Sequence, residues 1–576
     1  ISEDGFGPHF GPENRVFYTH RKWSAAGRGS DGGAASVLHS RDVLGQDPRQ
    51  HASGALIRQF WVSPSGEHVA FIENYQLFLA KLPALGVRLS LSASFDGLSL
   101  IQLSVDGATD VAWSKDGQSV GWSTGPTRYE QTVTGELSLG TESTGVDLSQ
   151  SIKSDRPTGS LALVGGRIIT MDDNDTVIED GVIVIKDNRI VSVGPKDTLT
   201  LPEGATRINV AGKTVIPGLI DAHAHGPYGR SGILPQNNWS LLAHLALGVT
   251  TIHNPSSQAR QVFAAAEYQK AGKILGPRIF STGNVVYGAK SLGYAVVDDL
   301  DDAQAHVRRL KAQGAISIKN YNQPRREQRQ QVIEAARQEG LLVVAEGASL
   351  FHLDMNLIAD GASGIEHNIP TLKIYDDVLQ FWRQSKTGYT PTLVVTYGGL
   401  TAEDYYYQHT EVWKHRLLSR FVPPDRLQAR SVRRVMAPES DFKDDDAAAV
   451  AHLLAQEGVT VNTGAHGQRE GLATHWELWS FVRGGFPPMD ALKLATTNPS
   501  KYLGLADSIG SLEAGKLADL VILNENPLED IHNTEDIHQV MLNGRLYDAE
   551  TLAETITGDR PGIQLWWYQR PDLEIR

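Results

Sequence analysis

Four amphipathic stretches, residues 257–271, 299–313, 324–339 and 444–457, each stop at a glycine: Gly272, Gly314, Gly340 and Gly458. A glycine there supplies the left-handed residue that satisfies a helix's last carbonyls. Apolar runs of strand character lie between and around them, at 215–221, 249–253, 278–280, 316–319, 341–345, 364–367, 390–395 and 459–462. Parallel strands are joined by crossovers, usually helical, and not by tight hairpins. Eight such strands predict a closed (β/α)8 TIM barrel over 215–504, with its chemistry at the C-terminal strand ends.

The chain ahead of this region reads differently. FGPEN at 10–14, VSPSG at 62–66 and WSKDG at 113–117 are turns, each followed by an apolar run, VFY, VAF and VGW. Pro64 follows Pro12 by 52 residues, and Lys115 follows Pro64 by 51. A hairpin signal recurring at about fifty residues predicts propeller blades over 1–150. Three blades are too few to close a ring. The expectation is therefore a partial β-propeller, completed by an upstream segment, a companion chain or a second copy. A polar stretch at 143–157 precedes short strands at 161–164, 167–170, 181–185 and 189–193; strand character returns at 517–523 and 539–543.

Composition removes several classes of function. The chain has 576 residues and a net charge of -14, and it lacks cysteine. An acidic surface does not attract nucleic acid. No apolar run nears the ~18 residues that span a bilayer. Without thiolates, any metal must be held by His, carboxylate or a modified Lys. A cysteine-free chain beginning at Ile1 fits a periplasmic or secreted protein whose leader was removed, with the cytoplasm as the alternative.

Polar residues mark the predicted strand ends. His223 and His225 close the first strand on one face, because strand side chains alternate. Lys319, Glu346, His367 and His466 close the fourth, fifth, sixth and eighth. Neutral imidazoles suit zinc, iron or a similar ion better than calcium or magnesium. By alternation Glu366 points away from this set. His253, Tyr287, Tyr321 and Tyr397 follow strands and are candidates for contacting substrate. Asp221 shares a face with His223, either in support of the metal or in strand packing. His475 in THWEL (474–478) either reaches the mouth or caps local structure.

VIPGLIDAHAH at 215–225 resembles the opening metal motif of the amidohydrolase superfamily. ATTNPS at 495–500 and GSLEAGKLADLVIL at 510–523 resemble its closing segment. The resemblance covers about residues 158–550 and is strongest to the imidazolonepropionase-like branch, in the subgroup fused to a TolB-like propeller. It implies a composite β-sandwich from 158–214 and 505–550, and a tail at 551–576. It makes His223, His225, Lys319, Glu346, His367 and His466 metal positions for one or two zinc ions. Lys319 is then either a carbamylated bridge or an ammonium paired with Glu346. Two positions depart from the family pattern: Glu346 stands where His is usual, and His466 where Asp is usual.

The implied activity is hydrolysis of a small-molecule amide, cyclic amide or small peptide by metal-activated water. Glu346 or His466 would serve as the proton acceptor. Ester or lactone hydrolysis uses the same chemistry, and a binding scaffold on a degenerate barrel is the alternative from another class.

Overall fold

The computed structural model describes residues 5–22, 35–83, 88–94, 99–134, 137–139, 144–229, 232–289, 292, 294–321, 323, 325–347 and 350–569. Expectations placed on Ile1, Ser143, Pro324 and the tail beyond Gln569 lie outside these residues. The chain forms two compact units: residues 1–151, 285–315 and 323–341 make the first, and the remainder the second.

Each of the three sequence repeats of the first unit builds one sheet, antiparallel except where Leu89–Ser90 joins Arg49–Gly54 in parallel. Its turn joins the first two strands: Gly5–Phe10 with Val16–Lys22, Ile57–Val62 with His68–Glu73, and Thr109–Trp113 with Ser119–Thr124. Phe17, Leu38, Phe60 and Phe71 share one apolar core; Ile72, Leu79, Val120 and Trp122 share the next. Successive sheets meet in the same way. A Cβ on Gly66 would lie 2.6 Å from Pro12 Cγ, and one on Gly117 3.2 Å from Pro64 Cδ. The Val62 amide donates to His9 Nε2 at 2.9 Å, and Trp113 Nε1 donates to the Trp61 carbonyl at 3.0 Å. The repeat in sequence is thus a repeat in contact, running from each sheet to the one before.

Two helices that sequence alternation assigns to the barrel pack within this first unit. Leu300–Gln313 is capped by Asp299, whose carboxylate accepts from the Asp302 amide; Arg326–Gln338 is the second. Arg308 pairs with Asp106 at 2.8 Å, and the Arg309 guanidinium stacks 3.7 Å over Tyr75. The expected stop glycines are left-handed, with φ of 67° at Gly272, 115° at Gly314, 69° at Gly340 and 88° at Gly458.

In the second unit one eight-stranded sheet combines both flanks of the hydrolase region. Strands Ser160–Ile169, Val177–Lys186, Arg189–Pro195, Thr206–Asn209 and Thr214–Pro217 join Leu520–Leu523, Ile537–Leu542 and Arg545–Asp548. Leu163, Ile183, Val215, Ile522 and Met541 lie in a single core that no one segment forms alone. In the tail, Trp567 Nε1 donates to the Arg420 carbonyl at 3.2 Å, which seats the aromatic pair Trp566 and Trp567.

Parallel strands of this unit form two arcs, Leu219–Asp221, Val249–Asn254 and Arg278–Ser281, then Ser317–Asn320, Leu342–Glu346, Gly364–Glu366 and Gly388–Thr390. The segment 459–463 links their ends: Tyr389 N donates to Thr460 O, and Ala222 N donates to Thr463 O. This arrangement is compatible with an eight-stranded barrel.

Three expected strands need correction. Residues 215–221 are not one strand, because the chain changes sheet at Gly218, where a Cβ would stand 2.5 Å from Thr250 Cγ2. The sixth strand ends at Glu366, since His367 takes φ 71°. The seventh is Gly388–Thr390, and Leu393–Val395 is a 3-10 turn entered through Thr392 at φ 49°.

Candidate metal centre

Four imidazoles converge at the C-terminal ends of the parallel strands. His223 Nε2 and His225 Nε2 lie 3.3 Å apart, and His466 brings a ligand atom within 4.8 Å of both. The His367 ring centroid is 5.0 Å from that of His223 and 5.1 Å from that of His466. Backbone geometry sets this up. Asp221, fully buried, accepts from the amides of His223 at 3.1 Å and Ala465 at 3.0 Å, and from the Thr474 hydroxyl at 3.3 Å. It thereby ties the first and eighth strand ends together. Asp221 thus holds backbone amides and the Thr474 hydroxyl. His466 is itself left-handed, φ 56°, and its amide donates to the His223 carbonyl at 2.6 Å. Strained backbone of this kind persists where its surroundings over-determine it.

Each of three rings is oriented through its other nitrogen. His223 Nδ1 bonds Glu366 Oε2 at 2.6 Å, His225 Nδ1 bonds Asn254 Oδ1 at 3.1 Å, and His367 Nδ1 bonds Thr392 Oγ1 at 2.7 Å. Glu366 was expected to face away. Alternation fails there because His367 leaves the strand conformation, so the two neighbours reach the same site. The signal that locates Glu366 is spatial and lies outside local sequence.

Lys319 and Glu346 complete the cluster. Lys319 Nζ is 2.6 Å from Glu346 Oε2, and Glu346 Oε1 is 3.4 Å from His367 Nε2. Burial lowers the histidine pKa values, with further depression from neighbouring cations: well below the ordinary value for His223, downward for His225, and to about 3 for His367 and His466. All four are neutral at pH 7 and present lone pairs. Burial raises Asp221 to about 6 and Glu366 to about 7. Neutral imidazoles beside a buried carboxylate fit a divalent transition metal.

The predicted substrate contacts divide. The Tyr397 ring stacks on His367 at 5.2 Å, and burial, Glu346 and Tyr321 together raise its hydroxyl to about 12. Asn368 clamps the Tyr397 backbone, its Oδ1 accepting from the amide at 2.7 Å. Tyr287 belongs to the first unit, with its ring edge-on to Tyr294. His253 is fully buried, with Nδ1 on the Ala222 carbonyl at 3.0 Å and Nε2 on Ser317 Oγ at 2.7 Å. Both ring nitrogens are used, so His253 is a packing residue and not a substrate contact. His475 likewise bonds the Leu247 carbonyl at 2.9 Å inside the structure.

Arg469, three residues past His466, was not singled out in the sequence. Its Nη1 donates to the Arg426 carbonyl at 2.9 Å, and its other nitrogens reach Tyr407 and the Ala429 carbonyl.

The described residues contain no helix long and apolar enough to cross a membrane. The chain is 23% identical over 422 residues to a 5-methylthioadenosine/S-adenosylhomocysteine deaminase of Syntrophobacter fumaroxidans, covering 67% of this chain and 92% of that protein. It is 26% identical over 388 residues to an imidazolonepropionase of Geobacillus kaustophilus, covering 60% and 84%. Among solved structures, a Xaa-Pro dipeptidase with bound methionine in its active site aligns with a TM-score of 0.53 at 22% identity, over 68% of this chain and all of the other. The Amidohydrolase family model matches residues 214–547, a span that holds every residue of the histidine cluster, and the chain belongs to the amidohydrolase family.

Proposed function

We propose that the protein is a zinc-dependent hydrolase of amide bonds, taking a small amide, cyclic amide or short peptide. The observation that carries this reading is the convergence of His223 Nε2, His225 Nε2 and His466. Deaminase, imidazolonepropionase and dipeptidase relatives, all named for reactions at carbon–nitrogen bonds, support the same class. His223, His225 and His466 would hold the ion, with His367 beside them. A bound zinc ion supplies an acidified water and a Lewis acid for the carbonyl. Glu346, placed between Lys319 and His367, would accept a proton from the attacking water and deliver it to the leaving amine. Tyr397 stays protonated at neutral pH and offers a hydroxyl donor beside His367. With His466 in the ligand set, Glu346 is the acceptor of choice.

The surrounding fold is read as a closed (β/α)8 barrel, with the three N-terminal sheets as blades of a larger propeller. The repeated contact between each turn glycine and the preceding proline supports the propeller. A panel of matched amides and esters, assayed with and without zinc, tests the activity. Metal-dependent turnover of amides is expected. Turnover of esters alone would contradict the amide reading, and no turnover at full metal loading would favour a scaffold.

A further inference from the structure

We propose that Glu366 is a positioning residue of the metal centre, holding the His223 ring with Nε2 turned to the ion, and that Tyr502 holds Glu366. This rests on the metal-site reading above.

The sequence gives no reason to join these residues, since Tyr502 lies beyond the last parallel strand. The fold joins them directly. Tyr502 ends the short helix Thr497–Tyr502 of the closing segment, and its hydroxyl donates to Glu366 Oε1 at 3.2 Å. The other carboxylate oxygen, Oε2, accepts from His223 Nδ1 at 2.6 Å. His223 and Glu366 side chains are 1% and 0% exposed, so water does not compete for either group.

Tyr502 is itself fixed by what the sixth and seventh strands lack. A Cβ on Gly364 would stand 2.6 Å from Tyr502 Cζ, and one on Gly388 2.8 Å from its Cδ2. Both strands leave room for the ring only because each begins with glycine.

Glu366 differs in kind from the other ring partners. At Nδ1, Asn254 and Thr392 give His225 and His367 neutral partners, whereas His223 has a carboxylate there. A carboxylate acceptor fixes the tautomer with Nδ1 protonated and leaves the Nε2 lone pair facing His225 Nε2, where an ion would sit. It also makes that nitrogen a stronger donor to a metal. His223 is then the anchor ligand, and the closing segment acts on the centre through Tyr502.

The test uses the full chain, stripped of metal and titrated with Zn2+ against a chromophoric chelator, as wild type, Glu366→Gln, Glu366→Ala and Tyr502→Phe. Zinc affinity is expected to fall about 10- to 100-fold in Glu366→Ala. Glu366→Gln should recover part of that loss, because its amide oxygen still accepts from Nδ1 without the charge. Tyr502→Phe should lose a few-fold, with a melting temperature close to wild type in the metal-free state. The visible spectrum of the Co2+ form should shift in Glu366→Gln, since the ligand field at His223 changes.

Wild-type affinity in all three variants would overturn the proposal. Equal losses in Gln and Ala, with a matching fall in metal-free stability, would do so too by making Glu366 merely structural. If Glu366→Ala fails to fold, Glu366→Gln and Tyr502→Phe carry the test. A wild-type chain that takes up no zinc would bring down the metal reading itself.

Discussion

Substituting Gly467 by alanine strikes the strand-eight turn one residue past His466. Gly467 has φ 73°, and a Cβ there would overlap the His225 carbonyl oxygen and stand 2.7 Å from its carbonyl carbon. Ordinary carbon contacts begin near 3.5 Å, so the His466 loop must retreat from the His225 backbone by on the order of 1 Å. The left-handed backbone adds about 1–2 kcal/mol for a residue with a Cβ. Together with overpacking, the loss of stability should be about 2–4 kcal/mol. Because the loop carries one proposed ligand, His466, and the collision is with another, His225, the two should separate. A displacement of ~1 Å at a reacting centre costs about 100-fold in rate. Gly458→Ala is the control: φ is 88°, but no atom lies within 4 Å of its Cβ position. It should lose about 1–2 kcal/mol and keep its metal affinity. Chelator competition, kcat/KM and thermal melting on both variants check this. A Gly467→Ala protein that binds metal and turns over like Gly458→Ala would refute the reasoning.

Two further outcomes follow from particular contacts. Burial holds His244 and His475 at pKa values of about 4. Between pH 4 and 6.5 the folded state therefore binds fewer protons than the unfolded chain, so stability is full above about 6.5 and falls on acidification. Each contributes roughly 3 kcal/mol. The melting temperature of the metal-free protein should fall from pH 7 to 5, and His475→Gln should flatten that slope; an unchanged slope would show that His475 is not held neutral. Trp113→Phe removes the bond to the Trp61 carbonyl and should cost about 1 kcal/mol, measured by denaturant midpoint, if that contact joins successive repeats.

Much of this was legible in the sequence because it depends on local pattern. Glycine stops mark helix ends through backbone chirality. The HxH pair was readable from its place just past the first parallel strand, which ends at Asp221 and leaves both imidazoles at one point, and His466 and His367 because strand ends carry chemistry. What escaped depends on tertiary contact or on broken local rules. Glu366 was assigned to the wrong face because His367 is left-handed. The switch of sheets at Gly218 is dictated by Thr250, a partner 32 residues away. His253 looked available for substrate from its strand-end position, yet Ser317 and Ala222 occupy both nitrogens. The two helices after the third and fourth strands follow the barrel alternation in sequence, but Leu300–Gln313 meets Asp106 and Tyr75 of the N-terminal repeats through Arg308 and Arg309, and Arg326–Gln338 joins the same unit by packing on that helix.

The most direct test of the account is the zinc content of the purified chain beside that of His223→Ala/His225→Ala, after both are dialysed against excess zinc. Wild type is expected to retain at least about one ion per chain and the double variant essentially none, with both folded by circular dichroism. Equal zinc in the two proteins, or none in the wild type, would contradict a metal centre built on these histidines.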